Sequence, residues 1–201
     1  MVVTSGLWAA FQRHLGRMMG YAAVMNTGFA LLALSIFHDV QLQAFFLLLI
    51  PQSIGLAIWA LALSIIKLRE GTLEFSKLQG VIQRYPVIFG GLLFAHFSTA
   101  SLPLLAGFPP IFAVLEGIAR QTLGGAIWVA AGLAGLFVGA IRTLAVGMMA
   151  SEEEGWALNG SYLQNILIGV GVLLLIILGI FPQILHPLLV NLPSAFERLI
   201  G

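Results

Sequence analysis

Pro86 to Arg120 reads PVIFGGLLFAHFSTASLPLLAGFPPIFAVLEGIAR, and the reading of this stretch decides the fold. It opens with an apolar run over 86–102 that holds no Asp, Glu, Lys or Arg. PLLAGFPP follows, from Pro103 to Pro110, and its Pro103, Gly107, Pro109 and Pro110 cannot sustain a regular helix: proline donates no backbone hydrogen bond and glycine is costly to order. A shorter apolar segment, 111–120, completes the stretch. The pattern is helix, break, helix, in a composition suited to lipid.

Outward from there, the chain divides at its charges and prolines into spans comparable to the ~20 residues that cross a ~30 Å hydrocarbon layer. They cover 18–37, 42–66, 86–102, 111–120, 123–149 and 163–181, with Pro51 predicted to kink the second. No period-2 alternation suggests a membrane barrel. The expected fold is therefore an all-α polytopic membrane bundle, a single domain over 1–201, with about six crossings.

Composition agrees, since 60% of the 201 residues are hydrophobic and 8% charged, more apolar surface than a soluble domain of this size could bury. The absence of cysteine excludes disulfides, thiolate metal sites and a cysteine nucleophile. Four scattered histidines predict no metal centre, and a net charge of +1 offers no field for nucleic acid. No phosphate-binding loop or nucleophile elbow appears, so no catalytic residue and no cofactor bound by this chain is expected. The N-terminus lacks a signal-peptide pattern, which leaves insertion to the spans themselves.

Crossing at each of these spans gathers Arg13, Arg17, Lys67, Arg69, Lys77, Arg84, Arg120 and Arg198 on one side. His38, Asp39 and Glu152 to Glu154 fall on the other. By the positive-inside rule the basic side is cytoplasmic, or matrix-facing, and both termini lie there, in a bacterial plasma membrane or mitochondrial inner membrane. If 86–102 and 111–120 were one broken crossing, Arg120 and the acidic run would exchange sides and the asymmetry would weaken. Separate crossings are preferred for that reason. The loop 67–85 sets Leu68, Leu73, Phe75, Leu78, Val81 and Ile82 among charges, which fits either an interfacial helix or a solvated loop.

Ionisable groups at membrane depth are costly enough to need a partner or a function. His96, with Ser98, Thr99 and Ser101 following, reads as a member of a hydrated, proton-exchanging patch or as a neutral histidine bonded to a neighbouring helix. Glu116, four residues before Arg120, reads as a proton-path carboxylate or as half of a helical ion pair. Arg142 reads as a structural or field-setting charge able to snorkel toward Glu152 to Glu154. Gly135 and Gly139 suit close helix packing.

Five collinear stretches resemble the C-terminal half of the antiporter-like membrane subunits of respiratory complex I, the NADH-quinone oxidoreductase subunit N type, with Mrp antiporter and membrane hydrogenase subunits sharing the pattern. Arg17 to Leu34 (RMMGYAAVMNTGFALLAL) is similar to the family's RLLAYSSIAHxGYxLLAL, and Leu78 to Pro86 to its LxGLxxRxP. Ser98 to Phe112 (STASLPLLAGFPPIF) resembles SLAGIPPxAGFIGKF. Phe137 to Met149 resembles YYYLRVxxxMY, with Arg142 on the family arginine, and Gly179 to Pro182 matches a terminal GxxP. The resemblance implies part of a proton-translocating module in which a broken helix and a row of Lys, His and Glu carry protons. Here the family lysine falls on Ile111 and the family histidine on Asn26, neither of which titrates. His96 and Glu116 are the candidate replacements, lined by Asn26, Ser98, Thr99 and Ser101.

The resemblance covers the second of two inverted repeats plus a final helix. It implies a lipid-embedded partner of other membrane subunits, including a chain supplying the first repeat. Three functions follow as expectations: a proton-translocating or degenerate structural subunit of a complex-I-type NADH-quinone oxidoreductase; a component of an Mrp-type antiporter or membrane-bound hydrogenase; or a purely structural subunit with no proton path.

Overall fold

The computed structural model describes residues 1–36, 41–149, 161–185 and 187. The described chain is helical: α1 (Val2–Phe11), α2 (Leu15–Ile36), α3 (Gln41–Glu70), α4 (Val81–Arg84), α5 (Pro86–Thr99), α6 (Phe108–Gln121), α7 (Leu123–Met148) and α8 (Tyr162–Ile180). Of these, α2, α3, α7 and α8 are long and apolar enough to cross a membrane. The all-α membrane bundle is as the sequence predicts.

Local chemistry sets several helix ends. Pro86 opens α5, where its missing N–H costs nothing, and the Ser161 hydroxyl caps α8 by accepting the Gln164 N–H at 3.3 Å. Pro51 lies inside α3, which runs on through it for 30 residues. Pro109 and Pro110 fall in the first turn of α6, so that helix starts before 111 and the break is confined to residues 100–107.

Helix α1 has no counterpart among the predicted spans, because ten residues give only ~15 Å of helix, half a crossing. It lies against α7 at glycine contacts: Gly132 against Val2 and Val3, Gly135 against Gly6 and Leu7, and Gly139 against Ala9. Ascending numbers on both sides mean that α1 and α7 run parallel. The C-terminal end of α7 therefore shares an end of the bundle with Arg13 and Arg17.

Helices α5 and α6 both run against α7. Phe89 meets Gly147, and the Phe97 ring lies tilted against Phe137 at 5.6 Å between ring centroids. Farther along, Phe108, Ile111 and Phe112 share a cavity with Leu133 and Phe137, and Ile118 lies beside Gly125. The two helices follow α7 successively from its last turns to its first, so together they make one crossing with a break in it. Segment 111–120 is not a separate crossing, contrary to the expectation. Arg120 consequently lies at the end opposite Arg13, Arg17, Lys67, Arg69, Lys77 and Arg84.

Helix α8 starts at the basic end, where Arg69 donates to the Gln164 side chain at 2.9 Å. It passes Gly91, Ile58 and Gly55 before Gly179 reaches Leu104 of the break. It therefore leaves away from the basic end; the C-terminus itself lies outside the described residues. His38, Asp39, Glu152 to Glu154 and Arg198 lie outside the described residues.

The 67–85 loop forms neither an interfacial helix nor a solvated coil. The Leu15 N–H donates to the Leu73 carbonyl and the Phe75 N–H to the Arg13 carbonyl, each at 3.0 Å. These bonds tie the loop across the α1–α2 joint. Leu73, Phe75, Leu78 and Val81 are buried there, and Arg84 pairs with Glu70 at 2.6 Å. Apart from Leu68, exposed near the end of α3, the apolar pattern serves burial against protein.

Candidate functional site

The break between α5 and α6 interrupts a membrane helix at depth, a geometry tolerated only where neighbouring groups satisfy the freed backbone. Ser98 does part of this, its hydroxyl accepting the Gly107 N–H at 3.3 Å. Thr99 donates within its own helix, to the carbonyl of Ala95 or His96 at 3.2 and 2.8 Å. Ser101 and Leu104 turn the chain with positive φ, 62° and 73°, a strained conformation for side chains other than glycine. Gly107 sits so close to the Ser98 carbonyl that no Cβ fits between them.

One helical turn before the break, His96 is fully buried, and its ring stacks on Trp59 of α3 with centroids 4.1 Å apart and planes at 26°. Neither imidazole nitrogen has a partner of full hydrogen-bond geometry, and the Leu136 backbone of α7 is the polar group that approaches the ring. Trp59 Nε1, the Ser101 hydroxyl and the amides of Asn26 and Gln52 are likewise buried and unpartnered. Such groups are costly in an apolar interior and favour bound water where a cavity admits it. Sequence reasoning missed Gln52 and Trp59. Gln52 had a signal, a polar residue directly after Pro51 in an apolar run; Trp59 had none.

Ile111 and Ser101 line one cavity of about 240 Å³ with Phe108, Phe112, Leu133 and Phe137. The chamber beside the break is walled by apolar side chains, and Ser101 supplies its hydroxyl. Asn26 is placed separately, buried on α2.

Glu116 is not brought to His96. It pairs with Arg120 at 2.7 Å on an exposed face of α6, at the end remote from the other basic residues. Exposed i,i+4 pairs contribute only about 0.3–0.5 kcal/mol. Glu116→Gln is thus expected to leave the unfolding midpoint in mild detergent nearly unmoved, and a large drop would show that the pair is buried in the working assembly. Arg142 also departs from its predicted path. It donates to the Ala10 carbonyl, an orphan acceptor at the end of α1, and its guanidinium lies 5.6 Å from the centre of the Phe75 ring. It clamps α1 and the loop to α7.

The family described as NADH:quinone oxidoreductase/Mrp antiporter, TM, matches residues 1–138. The chain belongs to this family. It is 29% identical over 209 aligned residues to NADH-quinone oxidoreductase subunit 13 of Thermus thermophilus, covering 98% of this chain and 42% of that protein. Its fold is shared with a chain of Thermus thermophilus respiratory complex I with bound NADH, at a TM-score of 0.78 and 21% identity, over 100% of this chain and 44% of that one. It is also shared with a chain of the Mrp complex from Dietzia, at a TM-score of 0.74 and 16% identity, over 92% and 43%. This member of the family therefore spans less than half the length of each of these relatives. It is an integral membrane protein.

Proposed function

We propose that this chain serves as the second-repeat half of an antiporter-like membrane subunit in a complex-I-type NADH-quinone oxidoreductase, and that it contributes structure rather than a complete proton path. The observation that carries the reading is the chemistry of the buried polar groups. Among the described residues the buried polar set is Ser5, Asn26, Gln52, His96, Ser98, Thr99 and Thr143, with no Asp, Glu, Lys or Arg. A proton on His96 would be a charge in the core with no buried counter-charge, and at the family's lysine position Ile111 can hold none. Other membrane subunits, including one supplying a first repeat, complete the unit. The basic end faces the cytoplasm or matrix, in keeping with six of the seven basic residues found at bundle ends.

A second reading has its own support. His96 lies next to unpartnered Trp59 and within the same bundle as unpartnered Asn26, Gln52 and Ser101, so a hydrated layer could pass protons through the single titratable group. An Mrp-type antiporter assembly would use the same layer without a redox module. One purification separates these readings. The assembly carrying His96→Gln is isolated from native membranes, its subunits are identified, and protons translocated per electron are measured after reconstitution. Flavin and iron-sulfur subunits with an unchanged ratio are expected. Loss of translocation at intact electron transfer would favour conduction through His96, and small membrane subunits alone would favour the antiporter.

A further inference from the structure

We propose that one anionic phospholipid binds at the basic end of the α1–α7 seam, its phosphate among Arg13, Arg17 and Arg142 and an acyl chain along the groove between the two helices. A cavity of about 620 Å³ opens there, with those three arginines, His14, Glu74 and Gln79 in its wall. Three arginines against the one carboxylate leave the wall at +2 with histidine neutral. Among the described residues none of the three is seen in an ion pair, whereas Arg84 pairs with Glu70 and Arg120 with Glu116.

A second cavity, about 560 Å³, shares Arg13 and Arg142 with the first and continues from it between Leu7, Phe11, Ala134 and Val138. Leu7, Phe11 and Val138 are exposed large apolar side chains, while the small Ala131, Ala134 and Gly135 keep the furrow open between them. The depths suit a lipid. Arg142 stands six residues from the end of α7 at Met148, ~9 Å of helix, near the boundary between headgroups and hydrocarbon. Arg142 gives one N–H to Ala10 and retains others, and Arg13 and Arg17 are exposed at the mouth. A free phosphate would fill only the polar part of this joined space. A lipid with a negative headgroup matches both parts, charge to the arginines and chain to the furrow.

The test uses the full chain, purified, delipidated in neutral detergent and offered equal amounts of phosphatidylglycerol and phosphatidylcholine, with bound lipid counted by native mass spectrometry. Severalfold preference for phosphatidylglycerol is expected, with Arg13→Gln and Arg17→Gln each lowering its retention roughly fivefold, the worth of one basic residue at a membrane surface. Ala134→Trp, which fills the furrow and leaves the arginines, should lower it as well, whereas excess inorganic phosphate should not displace it. Equal retention of the two lipids, or indifference to both arginine variants, overturns the proposal. So does binding that emerges only in Glu152→Gln/Glu153→Gln/Glu154→Gln, which would assign the cavity to that segment. A photo-crosslinker at position 7 in native membranes should capture lipid; capture of a polypeptide would assign the furrow to a protein neighbour and also overturn it.

Discussion

Gly6→Val should release α1 from α7 and cost the bundle ~3 kcal/mol or more, at or beyond the upper end of ordinary overpacking. A carbon added at Gly6 would lie 2.0 Å from the Gly132 carbonyl oxygen and 2.5 Å from its carbon. Both are main-chain atoms, so no side chain can rotate away and the helices themselves must part. The fit is reciprocal, because a carbon at Gly135 would meet the Gly6 carbonyl at 2.5 Å. Separation would also pull the Ala10 carbonyl from Arg142 and loosen the seam at Ala9 and Gly139. The readout is the unfolding midpoint in mild detergent. Gly169→Ala is the control: nothing lies within 4 Å of that position, and a change within about 0.5 kcal/mol is expected. A Gly6→Val midpoint as high as the control's would show that α1 and α7 do not pack in this way.

The second large loss is expected at the break. Gly107 has φ −73° and ψ −23°, open to any residue, so its constraint is space rather than conformation. An added carbon there would sit 1.9 Å from the Ser98 carbonyl oxygen. Gly107→Ala should therefore force α6 away from the end of α5 and cost ~2–3 kcal/mol. Ser98→Ala offers a graded comparison, since it removes only the hydroxyl that receives the Gly107 N–H, a loss of about 1 kcal/mol. Both variants are read by the same midpoint, and equal effects would mean that the hydrogen bond, not the backbone approach, holds the break.

The break itself was legible because proline and glycine act locally: Pro103, Gly107 and Pro109 announce it whatever surrounds them. The side on which Arg120 lies was not. A count of basic residues treats each as an independent charge, yet Arg120 is neutralised by Glu116 one turn away and carries little weight in setting topology. The apolar residues of 67–85 misled for a related reason, since spacing reports that a face is buried and not whether lipid or protein buries it. Buried Trp59 was hidden by the apolar run of α3, which marks no single core-facing stripe, whereas Gln52 stood out there as a polar residue beside Pro51. Arg142 stood out as a charge inside a span, but the group it bonds, the Ala10 carbonyl, lies at the end of α1, a ten-residue helix too short to read as a crossing. Ile111 and Asn26 needed only the sequence, because a residue that cannot titrate does so nowhere in the fold.

The sides of the membrane and the chamber beside Ile111 depend on α5 and α6 being two halves of one crossing. The chain has no cysteine of its own, so single reporters can be placed freely at exposed Ser76 and Gln121. Ser76→Cys and Gln121→Cys, each in sealed vesicles of known orientation, are treated with a membrane-impermeant maleimide. One broken crossing predicts labelling from opposite faces, Ser76→Cys from the cytoplasmic or matrix side and Gln121→Cys from the other. Labelling of both from the same face would contradict it.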